Sequence, residues 1–251
     1  MSPLRTIALL LGLVALAACT GVDPAAELAA ARENIAARQY SEAAIRLSNV
    51  VQVQPDNADA RRMRGELALV NGEYSSAADE LDRARALGAE VDTLAVSLAD
   101  AWANTGRVDD ALSLLDSVAP AHVSDAAYWV VRAEALLRAG RIAEAERALE
   151  SGAQAGDIGV RGQIARAAAG FARDDVAGAD EILRRALEAS PNDPSALMAR
   201  ANLLARSGRL SDAAADLTRA AAVYRADSLL TRELTALVAL AQIQLAVNDL
   251  D

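Results

Sequence analysis

Two small-and-large apolar columns run through the chain at one fixed interval. Ala43, Ala77, Ala111, Ala145, Ala179 and Ala213 form the first. Leu47, Leu81, Leu115, Leu149, Leu183 and Leu217 follow each of them four residues later. An i, i+4 pair lies on one face of a helix, so the Ala lets a second backbone approach and the Leu fills the space beside it. Each Ala closes a six-residue segment: Arg38 to Ala43, Gly72 to Ala77, Gly106 to Ala111, Gly140 to Ala145, Asp174 to Ala179 and Gly208 to Ala213. The step between segments is always 34 residues, with no gap. The first residue of each segment sits at a turn between two helices. Gly suits that place because it accepts the positive φ that ends a helix. The pattern predicts a stack of helix–turn–helix units.

Four stretches depart from the period. Thr6 to Ala18 is an uninterrupted apolar run with Arg5 as the only charge before it. It is shorter than the ~20 residues that span a bilayer and has the form of a secretory signal. Ser151 to Gly162 holds Gly152, Gly156, Gly159 and Gly162, which predicts either a loose joint, a hinge, or simply a longer loop. Ser228 to Glu233 adds six residues before a seventh turn at Asn248-Asp249-Leu250. Leu234 to Val247 carries no charge at all. A solenoid normally closes with a helix whose outer face is polar. This stretch therefore reads as the first half of a truncated seventh repeat, or as a docking surface for a partner or a second copy of the chain.

Composition narrows the chemistry. The 25 basic residues are all Arg, against 35 acidic ones, for a net charge of −10. That balance disfavours nucleic acid. One Cys and one His exclude an internal disulfide and a thiolate or His-rich metal site. No phosphate loop, HExxH or GxSxG is present, so neither a cofactor nor an enzymatic activity is expected. His122 stands alone, and the neighbouring Ser124 and Asp125 read as the cap of the next helix.

A 34-residue helix–turn–helix period resembles the tetratricopeptide repeat. With the turn residue at position fifteen, six repeats occupy 24–227 and a partial seventh 228–251. The small residue of position eight is Ala31, Gly65, Ala99, Ala133, Ala167 and Ala201, and Pro55 and Pro191 match the closing proline. Position four departs: Trp129 and Leu197 are bulky, whereas Arg61 and Gln163 are not. The resemblance implies an all-α, right-handed solenoid whose first helices line a concave groove for a protein or peptide. Transferred to this chain, that groove takes in Arg62, Glu66, Asp100, Asn104, Glu134, Arg138, Arg161, Phe171, Asn202 and Arg206, with Val130 and Leu137 among its apolar members. Glu66, Asp100 and Glu134 fall at one position of consecutive repeats, which predicts an acidic stripe suited to a basic and apolar ligand.

Leu16-Ala17-Ala18-Cys19 resembles the lipobox of bacterial lipoproteins. It implies that residues 1–18 are removed, that Cys19 is acylated, and that 19–23 form a short tether. Thr20, where an Asp would favour the inner membrane, implies an outer-membrane anchor, facing the periplasm. Lipobox and array together resemble the repeat lipoproteins of PEP-CTERM/exosortase and exopolysaccharide export systems. The expectation is a non-enzymatic scaffold. The alternatives are a pilotin-like assembly factor for a pilus or secretin, and a recruiter of a cell-wall enzyme.

Overall fold

The computed structural model describes residues 22–118 and 125–248. Cys19 with the signal segment, His122 and the end of the seventh turn lie outside the described residues. Helices pair in chain order: α1 (Pro24–Ala36) with α2 (Tyr40–Val53), α3 (Ala58–Asn71) with α4 (Tyr74–Ala86), and α5 (Val91–Asn104) with α6 (Val108–Asp116). Then come α7 (Ala126–Arg138) with α8 (Ile142–Ala155), α9 (Gly159–Ala172) with α10 (Val176–Ala189), and α11 (Pro194–Arg206) with α12 (Leu210–Ala226). A long α13 (Leu230–Asn248) follows. The fold is an all-α solenoid.

The two apolar columns are its spine. All six Ala of the first column are fully buried, and the six Leu of the second are at most 4% exposed. At the position-eight column the second repeat has no room for a side chain, since a Cβ on Gly65 would lie 2.5 Å from Leu81 Cγ. The turns obey one geometry. Arg38, Gly72, Gly106, Gly140, Asp174 and Gly208 all have positive φ, between 59° and 88°. Four of the six first helices begin on carboxylate or amide caps: Asp23 accepts from the Ala25 amide, Asn57 from Ala60, Asp125 from Ala127 and Asp193 from Ala196.

The glycine-rich joint is neither loose nor long. Helix α8 runs on to Ala155, leaving only residues 156–158 before α9. Ile158 plugs the gap, buried against Ala126 and Val130. A Cβ on Gly152 would come within 3.1 Å of Ile158, and one on Gly162 would overlap it. These two glycines therefore serve close packing.

The six residues that break the period do not form an insert. Helix α12 extends to 17 residues, Ser228 takes the left-handed turn, and Thr231 to Glu233 become the first turn of α13. That added turn reaches back to the start of the array. Arg232 donates to the carbonyls of Leu69 and Val70, and Thr231 donates to Glu73 and accepts from Asn71. Arg38 in the first turn pairs with Asp227 at 3.4 Å. Tyr40 packs with the buried cluster that holds Leu197, Tyr224 and Leu229. The solenoid thus curls until its last helix meets its second repeat.

Candidate functional site: the concave wall

First helices carry their packing residues toward the second helices, so the remaining face of α3, α5, α7, α9 and α11 turns inward. Helix α13 borders this concave wall on one side, and the half-open cavity between them measures about 550 Å³. Apolar Val96, Val131, Ile164 and Met198 share it with a band of charged and amide groups.

Six of the ten predicted groove residues meet there: Glu66, Asp100, Asn104, Glu134, Arg138 and Arg161. Five of them form one network across repeats three to five. Arg161 donates from Nε and Nη2 to the two oxygens of Glu134, at 2.9 and 2.5 Å. Its Nη2 also lies 2.8 Å from Asp100 Oδ2. Asn104 donates to Asp100 Oδ1 at 2.8 Å and accepts from Arg138 Nη2 at 2.6 Å. Burial opposes the charge on Arg161, but the hydrogen bonds and charges of Glu134 and Asp100 prevail and raise its pKa above the ordinary value.

The acidic stripe is therefore corrected. Glu66 receives Arg62 at 2.7 Å, and Asp100 and Glu134 share Arg161. Each carboxylate already has an arginine, so the wall is polar and locally balanced rather than anionic. The reason is the neighbouring register: Arg161 at position two and Arg62 at position five point into the same furrow as position nine.

The other predicted residues separate. Phe171, Asn202 and Arg206 line a second, smaller hollow of about 280 Å³ between α9 and α11. There the Arg206 guanidinium stands 5.2 Å from the Phe171 ring centre. Arg62 borders a shallow rim beside Gly88 and Thr93. Val130 is buried at the joint, and Leu137 packs against the main core. The cavity takes Val131 and Arg138 instead.

Sequence reasoning missed Tyr74, Tyr224, Arg232 and Thr235, all of which line the cavity. They come from second helices and from α13, and curling brings them in. The signal for them was the six-residue break in the period. Arg232 sits 5.5 Å from the Tyr74 ring centre. Burial raises the Tyr224 pKa, against a hydrogen bond with Ser195 that lowers it. Among the described residues, no group of three or more His, Cys, Asp or Glu could hold a metal ion.

Residues 28–92, 96–160 and 164–229 each match the tetratricopeptide-repeat family. The chain is a tetratricopeptide-repeat protein. Its solved structural relatives share the fold at low identity. A thermophilic repeat protein of Thermus thermophilus, TTC0263, is 20% identical with a TM-score of 0.59, over 72% of this chain and 99% of that one. PilW, described as a widely conserved type IV pilus biogenesis factor, is 13% identical with a TM-score of 0.58, over 86% of this chain and 98% of that one. Against yeast Tom70 the match covers 81% of this chain but only 44% of that protein, at 16% identity and a TM-score of 0.50. No curated protein sequence matches the chain. Tetratricopeptide-repeat proteins are in general non-enzymatic scaffolds for protein partners.

Proposed function

We propose that this chain is a periplasmic scaffold, held at the outer membrane by acyl groups on Cys19, whose concave cavity holds a segment of a protein partner in an envelope export or assembly system. The observation that carries the reading is the cavity wall itself. It joins an apolar floor to a hydrogen-bonded band in which Glu66 is paired with Arg62, and Asp100 and Glu134 share Arg161. A peptide with alternating apolar and polar side chains fits such a wall better than a purely basic one. Its apolar groups displace water, and its amides exchange hydrogen bonds with Asn104, Arg138 and Arg161.

Of the pathways, an exopolysaccharide or exosortase system suits an array that runs on. The inward curl of α13 favours the pilotin-like alternative, a compact assembly factor. The likeness in shape to PilW over nearly its whole length is compatible with that reading.

The anchor is tested by Cys19→Ser, which should move the protein from the membrane to the soluble fraction; retention in the membrane would refute it. The cavity is tested in the native cells with a photo-crosslinking residue at Met198 and another at the outward-facing Arg147. Adducts with a defined partner from Met198 alone are expected. Equal adducts from both positions would remove the cavity from the interaction.

A further inference from the structure

Position nine faces the concave side, and five repeats place a charged or amide side chain there: Arg32, Glu66, Asp100, Glu134 and Asn202. Repeat five has the exposed Ala168 instead. The short side chain leaves the hollow of about 280 Å³ between α9 and α11. Its floor is made by Ala167, Leu183 and Leu203, all buried, and its walls by the half-buried Ile164 and Phe171. An apolar cavity of roughly 150 Å³ accepts a benzene ring, so this hollow has room for a bulky apolar side chain. The buried leucines close its floor, so it suits one side chain rather than a long acyl chain. Ile164 also lines the larger concave cavity. A segment lying along that wall can therefore drop a residue into the hollow.

The rim of the hollow is polar and unengaged. Asn202 and Arg206 stand one turn apart on α11, and both are exposed. The other concave arginines are occupied: Arg62 donates to Glu66, Arg138 to Asn104 and Arg161 to Glu134. Among the described residues, no hydrogen bond or ion pair engages the side chain of Asn202 or Arg206. The Arg206 guanidinium has the Phe171 ring, centred 5.2 Å away. Such a contact orders the guanidinium and leaves its N–H donors free.

The charge around the hollow has one sign. The chain carries −10 overall, yet α9 and α11 hold four arginines and no acid. Arg161 and Arg200 meet carboxylates of other helices, Glu134 and Asp216. Arg206 meets none. A free cation and a free amide thus stand beside an apolar pit, and the complement of that set is a carboxylate beside an apolar group.

We infer that the hollow between α9 and α11 is an anchor site for the partner segment. It takes a bulky apolar side chain flanked by an aspartate or glutamate, whose carboxylate goes to Arg206 and Asn202. The inference rests on the concave wall's holding a partner segment, and it gives that segment a chemical signature. A polyanion is a poorer match, because a chain of −10 repels it.

The test is selection from a displayed library of random peptides on the full chain carrying Cys19→Ser. The selected peptide is then titrated by fluorescence anisotropy with its C-terminus amidated, so that only side-chain carboxylates act. Selected sequences should place Leu, Met or Phe within about one helical turn of Asp or Glu. Changing that acid to its amide should weaken binding about tenfold, and Arg206→Ala should do the same. The two changes together should cost no more than either alone. Ala168→Leu fills the hollow from an exposed helical position, so circular dichroism should match the parent while binding weakens about tenfold. Additive losses, parental binding by Ala168→Leu, or binding that needs a free C-terminal carboxylate would overturn the inference. So would a library without an acidic and apolar consensus. Adducts from Met198 in cells alongside any of those results would keep the concave wall as the binding surface and remove only the anchor.

Discussion

Arg232 Nη2 donates to the carbonyl oxygen of Leu69 at 3.1 Å, joining residues 163 positions apart. Leu69 lies near the end of α3, where its carbonyl already accepts from the Gly72 amide at 3.0 Å and the neighbouring Val70 carbonyl also takes Arg232, at 3.3 Å. A guanidinium there satisfies a helix C-terminus and meets its dipole favourably. Gly72 makes room for it, since a Cβ at that site would lie 2.9 Å from Arg232 Nε. The closure of the array therefore depends on a cation from outside the regular period and a glycine inside it.

Arg232→Ala should loosen this closure without melting the helices. Hydrogen bonds to a charged group contribute ~1.5–3 kcal/mol when buried, and partial exposure here reduces the loss to about 1 kcal/mol. Amide exchange in the first turn of α13 should accelerate by roughly fivefold. Exchange in the central repeats should hold steady. Equal protection in both proteins would show that the apolar contacts of Tyr40 and Leu229 suffice.

At position four, the departure at Arg61 finds its explanation in an ion pair. Arg61 Nη1 lies 2.9 Å from Glu80 Oε2, with both side chains about 12% exposed. The first repeat reverses the polarity, Glu27 on the first helix facing Arg46 on the second at 3.4 Å. Arg64 Nη2 also lies 3.4 Å from Glu80 Oε1, so Arg61→Ala leaves Glu80 one remaining arginine and should cost about 1–3 kcal/mol. The joint change Arg61→Leu with Glu80→Met should restore stability to within about 1 kcal/mol of the parent. Arg46→Ala, in the more exposed pair, should cost under about 1 kcal/mol. Urea unfolding of the parent and these variants measures the set. A joint variant as unstable as Arg61→Ala would mean that packing, not charge, dominates the site.

Left-handed turns make a second stability test. Asp174 holds φ 63° where four repeats place Gly. A side chain in that region costs about 1–2 kcal/mol, and Gly removes most of it at some cost in chain entropy. Asp174→Gly should stabilise by about 0.5–1 kcal/mol. Gly140→Asp should destabilise by about the same amount, because a Cβ at Gly140 meets nothing within 4 Å and only the backbone angle is at stake. Thermal unfolding checks both. Opposite shifts are expected, and shifts of one sign would remove the turn geometry as their cause.

What the sequence made legible was local and periodic. The Ala and Leu columns, the turn residues and the caps act within one repeat or between neighbours, and a 34-residue interval exposes them directly. Position nine placed Glu66, Asp100 and Glu134 on the concave wall. Their pairing was hidden, because Arg161 enters from position two of the repeat following Glu134, and no single column shows that offset. Closure was hidden for a different reason. A repeat pattern states the step from one unit to the next, but small rotations accumulate over five steps before α13 meets α3. Tyr74 and Tyr224 become neighbours of the cavity only through that sum.

Tyr224 offers a spectroscopic test of the closed cavity. Burial disfavours its phenolate and raises its pKa above the ordinary value near 10. Its folded pKa thus exceeds its unfolded one. The stability this contributes is fully present below the unfolded value and is lost as pH rises through the folded one. Unfolding free energy should therefore decline from about pH 10 upward, and Tyr224→Phe should flatten that decline. The difference in ultraviolet absorbance between parent and Tyr224→Phe isolates the one phenol among four tyrosines. Its midpoint should lie above 10, and Arg232→Ala should shift it further up by removing a nearby positive charge that favours the phenolate. A midpoint at the ordinary value, unmoved by Arg232→Ala, would mean that water reaches Tyr224 freely and that the array stands open in solution.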